Sequence, residues 1–236
     1  MFISAQTQRQ LIWLSVALSV IFSIGYVMTG FFPPPRPLLG ADAVAELYRS
    51  DNLQLRVGVV LCLLSGSFLM LWGIVVSGQM ARVEKGLPLW AITQALSGAM
   101  GALIFTLPLL YVGVAAFSPA RPPEVTLLMH ELAFLTLITP VTFFPFQALP
   151  VAMLSLSAAN RSAQHSPFPR WLGFFTLWML AAAEFGSAAM IFKQGPFAWN
   201  GFFTFWLPLS MYGIWYTLLS YLMFKAIRAQ EQDGMA

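Results

Sequence analysis

Apolar residues run in long blocks along this chain, and most of its charge falls between them. Six blocks reach spanning length, at about 11–32, 55–80, 88–116, 126–157, 171–193 and 198–225. A hydrocarbon core of ~30 Å takes about 20 helical residues to cross. The pattern predicts an all-α polytopic membrane protein, a bundle of six transmembrane helices forming a single transmembrane domain over 1–236.

The fourth block is the least regular. A continuous helix over Val125–Ala158 would be roughly 50 Å long, so it must tilt strongly, break or leave the membrane before its end. Pro140, Pro145 and Pro150 follow at five-residue intervals. Each withholds a donor from the carbonyl four residues earlier, on Thr136, Val141 and Phe146. Inside a membrane, side chains or neighbouring helices must satisfy such carbonyls, and Thr136, Thr139, Thr142 and Gln147 lie close by. The block reads either as a kinked structural helix or as a break lining a ligand cavity.

Between the first two blocks, Pro33-Pro34-Pro35-Arg36-Pro37 predicts an extended polyproline segment. Asp42–Ser50 then reads as a short outer amphipathic helix. Asp42 is expected to cap it, with Val44, Leu47 and Tyr48 on one face and Glu46 and Arg49 turned away. It serves as a lid on the outer interface or as a packed connector.

Composition strengthens the membrane reading. Charged residues are 9% of the chain and hydrophobic ones 58%, against about a quarter charged in soluble domains. The net charge of +3 is scattered between blocks, which suits topology anchors and no nucleic-acid surface. Arg9, Arg82, Lys85, Arg161, Arg170, Lys225 and Arg228 fall on one side of the predicted topology. Arg36, Arg49, Arg56, Arg121 and Lys193 fall on the other, with Asp42, Glu46, Asp51 and Glu124. The positive-inside rule therefore places both termini in the cytoplasm. Trp13, Trp90 and Trp171 at the inner interface, and Trp199 opening the sixth helix at the outer one, fit an aromatic belt. The first block has no small-residue cleavage site after it and reads as a retained helix.

Small residues form stripes: Gly73 and Ser77 in the second block, Ala91, Ala95, Gly98 and Ala102 in the third, Gly186 to Ala189 in the fifth. They let helices approach closely within a bundle or across a homo-oligomer interface.

Three ionisable side chains sit well inside blocks: His130, Glu131 and Glu184. A charge at the bilayer centre costs ~2.5–3.5 kcal/mol on insertion scales, so such positions mark function. Glu184 is expected near the midplane of a continuous fifth helix, and His130 and Glu131 nearer the outer interface. Two carboxyls and an imidazole can serve as a general acid–base set or as a protonatable transport site. They can equally be structural groups, satisfied locally or by interfacial water. A metal site is not expected, since His130 and Glu131 point about 100° apart on a helix and His165 lies on the opposite side of the membrane. Cys62 is single, which excludes an internal disulfide and a cysteine metal cluster. No cofactor motif is present.

Several stretches resemble a group of uncharacterised six-helix bacterial inner-membrane proteins. They are Phe168-Pro169-Arg170-Trp171-Leu172-Gly173, Gly195-Pro196-Phe197-Ala198-Trp199-Asn200-Gly201, Phe205-Trp206-Leu207-Pro208, Phe31-Phe32-Pro33-Pro34 and Arg56-Val57-Gly58. The resemblance implies a multi-pass inner-membrane location and carries no activity. The aromatic-rich last helix and buried acids also suggest a sterol-isomerase-like membrane fold, without a position-by-position motif.

The expectation is a protein that binds or transports a small apolar or amphipathic molecule, on its own or as a subunit of a membrane complex. Its pocket would open outward among the fourth, fifth and sixth helices. Glu184, Glu131, His130 and Gln147 would supply polar groups there, with Trp199, Trp206 and Tyr212 as aromatic walls. The alternative is an intramembrane lipid- or isoprenoid-modifying enzyme in which Glu184, Glu131 and His130 move protons. A third reading is an assembly subunit with no ligand of its own. Expected partners are membrane lipids, a hydrophobic small molecule, and a protein partner or second copy.

Overall fold

The chain punctuates its helices by several local devices. Ser4 opens α1 (Ala5–Met28), its hydroxyl accepting from the Thr7 amide at 3.2 Å. Glu84 lies outside α5 (Leu89–Phe117), yet its carboxylate accepts from the Trp90 and Ala91 amides at 3.0 and 2.9 Å. An acid there satisfies two orphan donors and complements the helix dipole. Pro122 and Pro123 start α6 (Pro123–Ile138), where a missing amide costs nothing.

The computed structural model describes residues 4–84, 86–141, 143–163 and 166–232. Lys85, Thr142 and His165, considered above, lie outside the described residues. Among those described there is no strand. The remaining helices are α2 (Ala41–Arg49), α3 (Asn52–Ser65), α4 (Phe68–Val83), α7 (Phe143–Leu156), α8 (Ala158–Ser162), α9 (Arg170–Ala183) and α10 (Leu207–Gln232).

Among the described residues five stretches are long and apolar enough to cross a membrane: Ala5–Met28, Asn52–Val83, Leu89–Phe117, Pro123–Leu156 and Arg170–Met190. Their outward faces are apolar, with Leu64 74% exposed and Leu103 61%. These features point to a membrane-embedded protein. The expected sixth block is not among the five. Its first residues form turns and a π-helical turn, Phe202–Trp206, before α10 begins, and Trp199 lies ahead of any α-helix. Pro208, Ser210, Tyr212, Gly213, Tyr216 and Thr217 then dilute the hydropathy of α10.

Within the bundle α1 packs on α3, α4 on α5, α5 on α6 and α7, and α7 on α9. Buried side chains form two clusters towards opposite ends. One gathers Ile12, Trp72, Met80, Leu154, Leu172, Trp215 and Met223. The other gathers Phe31, Tyr48, Leu55, Val112, Phe134 and Trp199. Close backbone approach fixes α1 on α3: a Cβ at Gly58 would stand 2.5 Å from the Gly25 carbonyl oxygen.

The first end is tied by a buried amide network. Gln79 Nε2 donates to Gln8 Oε1 at 2.7 Å and to Gln230 Oε1 at 3.1 Å. Gln230 Nε2 returns a bond to Gln79 Oε1 at 2.9 Å, and Arg82 donates to Gln230 Oε1 at 2.9 Å. Gln79→Leu keeps the volume and removes the acceptor of a buried amide. Leaving such a group unsatisfied costs about 2 kcal/mol, so the thermal unfolding midpoint in detergent is expected to fall; Gln79→Glu, whose carboxylate oxygen would face the Gln8 and Gln230 oxygens to which Nε2 donates, is expected to lower it as well.

Three helices are interrupted within their blocks. α3 and α4 are separated at Gly66–Ser67. α6 ends at Ile138 and α7 begins at Phe143, with Pro140 between them, while Pro145 sits in the first turn of α7 and Pro150 inside it. The expected continuous helix 171–193 ends instead at Ala183. Glu184 and Phe185 are non-helical, and a 3₁₀ helix, Gly186–Met190, follows. Gly186 and Ser187, just past the end, hold an α-helix weakly against the packing that bends the chain here.

The stretch expected to be an outer amphipathic helix over Asp42–Ser50 holds a helix, α2, with contacts other than those expected. Gly40 and not Asp42 is its N-cap, Asp42 standing in the first turn without a side-chain cap bond. Val44, Ala45 and Tyr48 are buried, and Leu47 is exposed.

Candidate functional site

His130 projects from α6 into the second core cluster and is only 1% exposed, so its imidazole is enclosed by protein and does not stand in interfacial water. Four aromatic rings enclose it, Phe134 at 4.6 Å between centroids, Phe31 at 5.6, Tyr48 at 5.8 and Trp199 at 6.0 Å. Its Nδ1 is 3.1 Å from the Tyr48 hydroxyl, and its Nε2 has no hydrogen-bond partner among the described residues. Burial pushes the Tyr48 phenol above its ordinary range, so it stays neutral and available as a donor.

Glu131, one residue on, turns away from this cage and is half-buried. It lines a cavity of about 130 Å³ together with Pro37, Leu135, Ala189, Met190, Lys193 and Trp199. Trp199 is shared between cage and cavity. Its ring stacks on Phe134 at 5.6 Å, and its Nε1 donates to the Pro35 carbonyl at 2.7 Å. That bond fastens the polyproline segment beside the cavity, and Pro37 becomes part of the wall. Glu131 and Lys193 thus bring opposite charges to one apolar-walled space, and no ion pair joins them among the described residues.

Glu184 stands elsewhere, as the residue that ends α9. It accepts a hydrogen bond from the Tyr212 hydroxyl of α10. Tyr212 packs on Phe144, the second residue of α7, at 4.5 Å between centroids. Just beyond Glu184 the chain lies against the α6–α7 interruption. Ser187 Oγ donates to the Thr139 carbonyl at 3.0 Å, and Gly186 is so close to the Ile138 carbonyl and the Val141 side chain that a Cβ has no room.

Gln147 is a third, separate position. It is buried on α7 against Gly98 of α5, and its Nε2 has no hydrogen-bond partner among the described residues. Gln94 Nε2, on α5, likewise has no partner among the described residues, while its Oε1 accepts from Ser77. Trp206 is 38% exposed and packs on Phe32 and Phe205, at the edge of the aromatic cluster.

The seven expected site residues therefore divide. His130 lies in the aromatic cage and Glu131 on the cavity, with Trp199 common to both; Glu184 and Tyr212 form a second constellation; Gln147 and Trp206 belong to neither. The cavity that Glu131 lines does not include Glu184. Lys193 and Pro37 were not anticipated as site residues, because a lysine between blocks reads as a topology anchor and a proline run as a connector. Tyr48 was legible only as one apolar position of α2. Among the described residues no three His, Cys, Asp or Glu side chains group as a metal site. No protein-family model, curated protein or solved structure matches this chain.

Proposed function

We propose that this chain is an integral membrane protein that binds, and in doing so helps to move, a small amphipathic molecule. The observation that carries the reading is the cavity of about 130 Å³ in which Glu131 and Lys193 share walls with Leu135, Met190 and Trp199. A polar head carrying both an ammonium and an anionic group satisfies both charges, and its apolar part follows the apolar wall and the face of Trp199.

In this reading α10 is the sixth span, since 26 residues rise ~39 Å. The termini are cytoplasmic by the distribution of Lys and Arg, α2 and the polyproline segment lie on the outer side, and the cavity faces outward. The resemblance noted above supports a bacterial inner membrane. Membrane lipids are the immediate partners and the nearest source of ligand.

Native mass spectrometry of the protein in mild detergent, titrated with lysophosphatidylethanolamine, tests the reading. Wild-type protein is expected to retain one molecule, and Glu131→Gln with Lys193→Gln to weaken retention about tenfold, equivalent to ~1.4 kcal/mol. Equal retention by the double variant would remove the site. A constant protein partner with no retained amphiphile would favour a complex subunit, and turnover of the lipid lost in Glu184→Gln would favour an enzyme.

A further inference from the structure

Two interrupted helices meet inside the bundle, and they reach the meeting point from opposite ends. α6 begins near the His130 cluster and ends at Ile138. α9 begins near Phe168 and Leu172, in the other cluster, and ends at Ala183. The Ser187–Thr139 bond and the Gly186–Ile138 contact join the two ends. Both helices therefore direct their C-terminal, electronegative ends toward one junction.

The end of α6 is well provided for. Thr139 returns both its amide and its hydroxyl to the Leu135 carbonyl, at 2.9 and 2.7 Å, and Ser187 and the Val141 amide donate to Thr139 itself. α7 also starts there, and its N-terminus offsets the α6 dipole. The end of α9 has no such provision. Like those of any helix, its last carbonyls have no helical amide following them, and among the described residues no cap bond is made by the amide of the residue that follows. That residue is Glu184, an acid where the dipole favours a cation.

Among the described residues no ion pair is made by Glu184. Of the elements packed around Glu184, α10 contributes the Tyr212 phenol, and its basic residues Lys225 and Arg228 lie beyond Met223 in the other cluster. α7 and the 3₁₀ helix hold no charged residue, and Arg170 is at the far end of α9. Glu124, His130 and Glu131 of α6 lie about two turns or more before Ile138. A carboxylate at the C-terminal end of a helix, within a membrane-crossing stretch, favours a cation beside it.

We propose that Glu184, the Tyr212 hydroxyl and the open carbonyl end of α9 form a binding site for one small monovalent cation, a proton or sodium. The 3₁₀ helix that leaves Glu184 ends in Ala189 and Met190, which are walls of the amphiphile cavity. Occupancy at Glu184 is therefore coupled to amphiphile binding through this five-residue element. The cation site stands by itself; the coupling rests on the function proposed above.

The test uses the full chain in nanodiscs. Calorimetry with sodium chloride against choline chloride, at fixed pH, reads sodium. The infrared carbonyl band of a protonated carboxyl, followed through a pH titration, reads the proton. One of the two signals is expected in wild type and absent in Glu184→Gln. Tyr212→Phe, which keeps the carboxyl and removes its donor, is expected to shift the midpoint of that signal, and it serves alone if Glu184→Gln does not fold. Signals identical in wild type and both variants overturn the site. Lysophosphatidylethanolamine affinity is expected to change about fivefold or more between the occupied and empty states. Binding of that probe that ignores pH, sodium and Glu184→Gln overturns the coupling alone. If the probe does not bind at all, the amphiphile reading falls, and the sodium and infrared signals still decide the cation site.

Discussion

Gly58→Leu is expected to separate α1 from α3 and to destabilise the protein by about 3 kcal/mol or more. A Cβ at position 58 would lie 2.5 Å from the Gly25 carbonyl oxygen and 2.9 Å from the Thr29 amide nitrogen. Both are backbone atoms, so no rotamer change relieves the overlap. The reciprocal position is equally closed, with a Cβ on Gly25 2.8 Å from the Gly58 carbonyl oxygen. Alanine at either position should already lower the thermal unfolding midpoint in detergent, and leucine should lower it further. Leu64→Ala, on the same helix but 74% exposed, is the comparison. If Gly58→Leu and Leu64→Ala unfold at the same temperature, the close helix crossing is wrong.

The second large effect is expected at Trp199. This side chain is 4% exposed, stacks on Phe134, closes the cage around His130 and holds Pro35. Trp199→Ala leaves a void among aromatic rings and should cost about 3–5 kcal/mol. Trp199→Phe retains most of the packing and loses the bond to the Pro35 carbonyl, for about 1 kcal/mol. Limited proteolysis around Arg36 separates the two roles. Cleavage there should accelerate in both variants, whereas the unfolding midpoint should fall steeply only in Trp199→Ala. Unchanged cleavage in both would mean that Trp199 does not fasten the polyproline segment.

Long apolar blocks made the helices legible, because a membrane-crossing segment announces itself by length and hydropathy alone. Prolines made the α6–α7 interruption legible too: Pro140 sits in it, and the free carbonyl logic needs no tertiary knowledge. The interruption after Ala183 was hidden for the opposite reason. Ala181, Ala182 and Ala183 have high helix propensity, and what ends the helix is the packing of Gly186 against Ile138, a contact between distant parts of the chain. Gly66–Ser67 was similarly masked by apolar neighbours.

Within the candidate site, sequence reasoning identified the chemical groups and misplaced some of them. Helical spacing correctly set His130 and Glu131 at different azimuths. Depth along a helix, however, does not report what lies beside it, and Phe31, Tyr48 and Trp199 come from three other parts of the chain to bury the imidazole. The partner of Glu184 was among the aromatic walls expected from the sequence, but as its hydrogen-bond donor and not as an apolar surface.

The bonds to α10 also bear on how the chain is completed during synthesis. Ser15 meets Tyr216 at 2.8 Å, Trp72 meets Ser220 at 2.8 Å, and Gln79 meets Gln230. Trp199, shortly before α10, holds Pro35 from the other end of the bundle. Each of these early groups emerges from the ribosome well before its partner, and at about 5–20 residues per second the wait lasts many seconds. Until then Trp72 and Gln79 are polar and aromatic groups without their final contacts, inside a half-inserted protein. The last thirty or so residues thus act as a clasp, and a nascent chain stopped before Leu207 would present that open seam to whatever insertion machinery attends it.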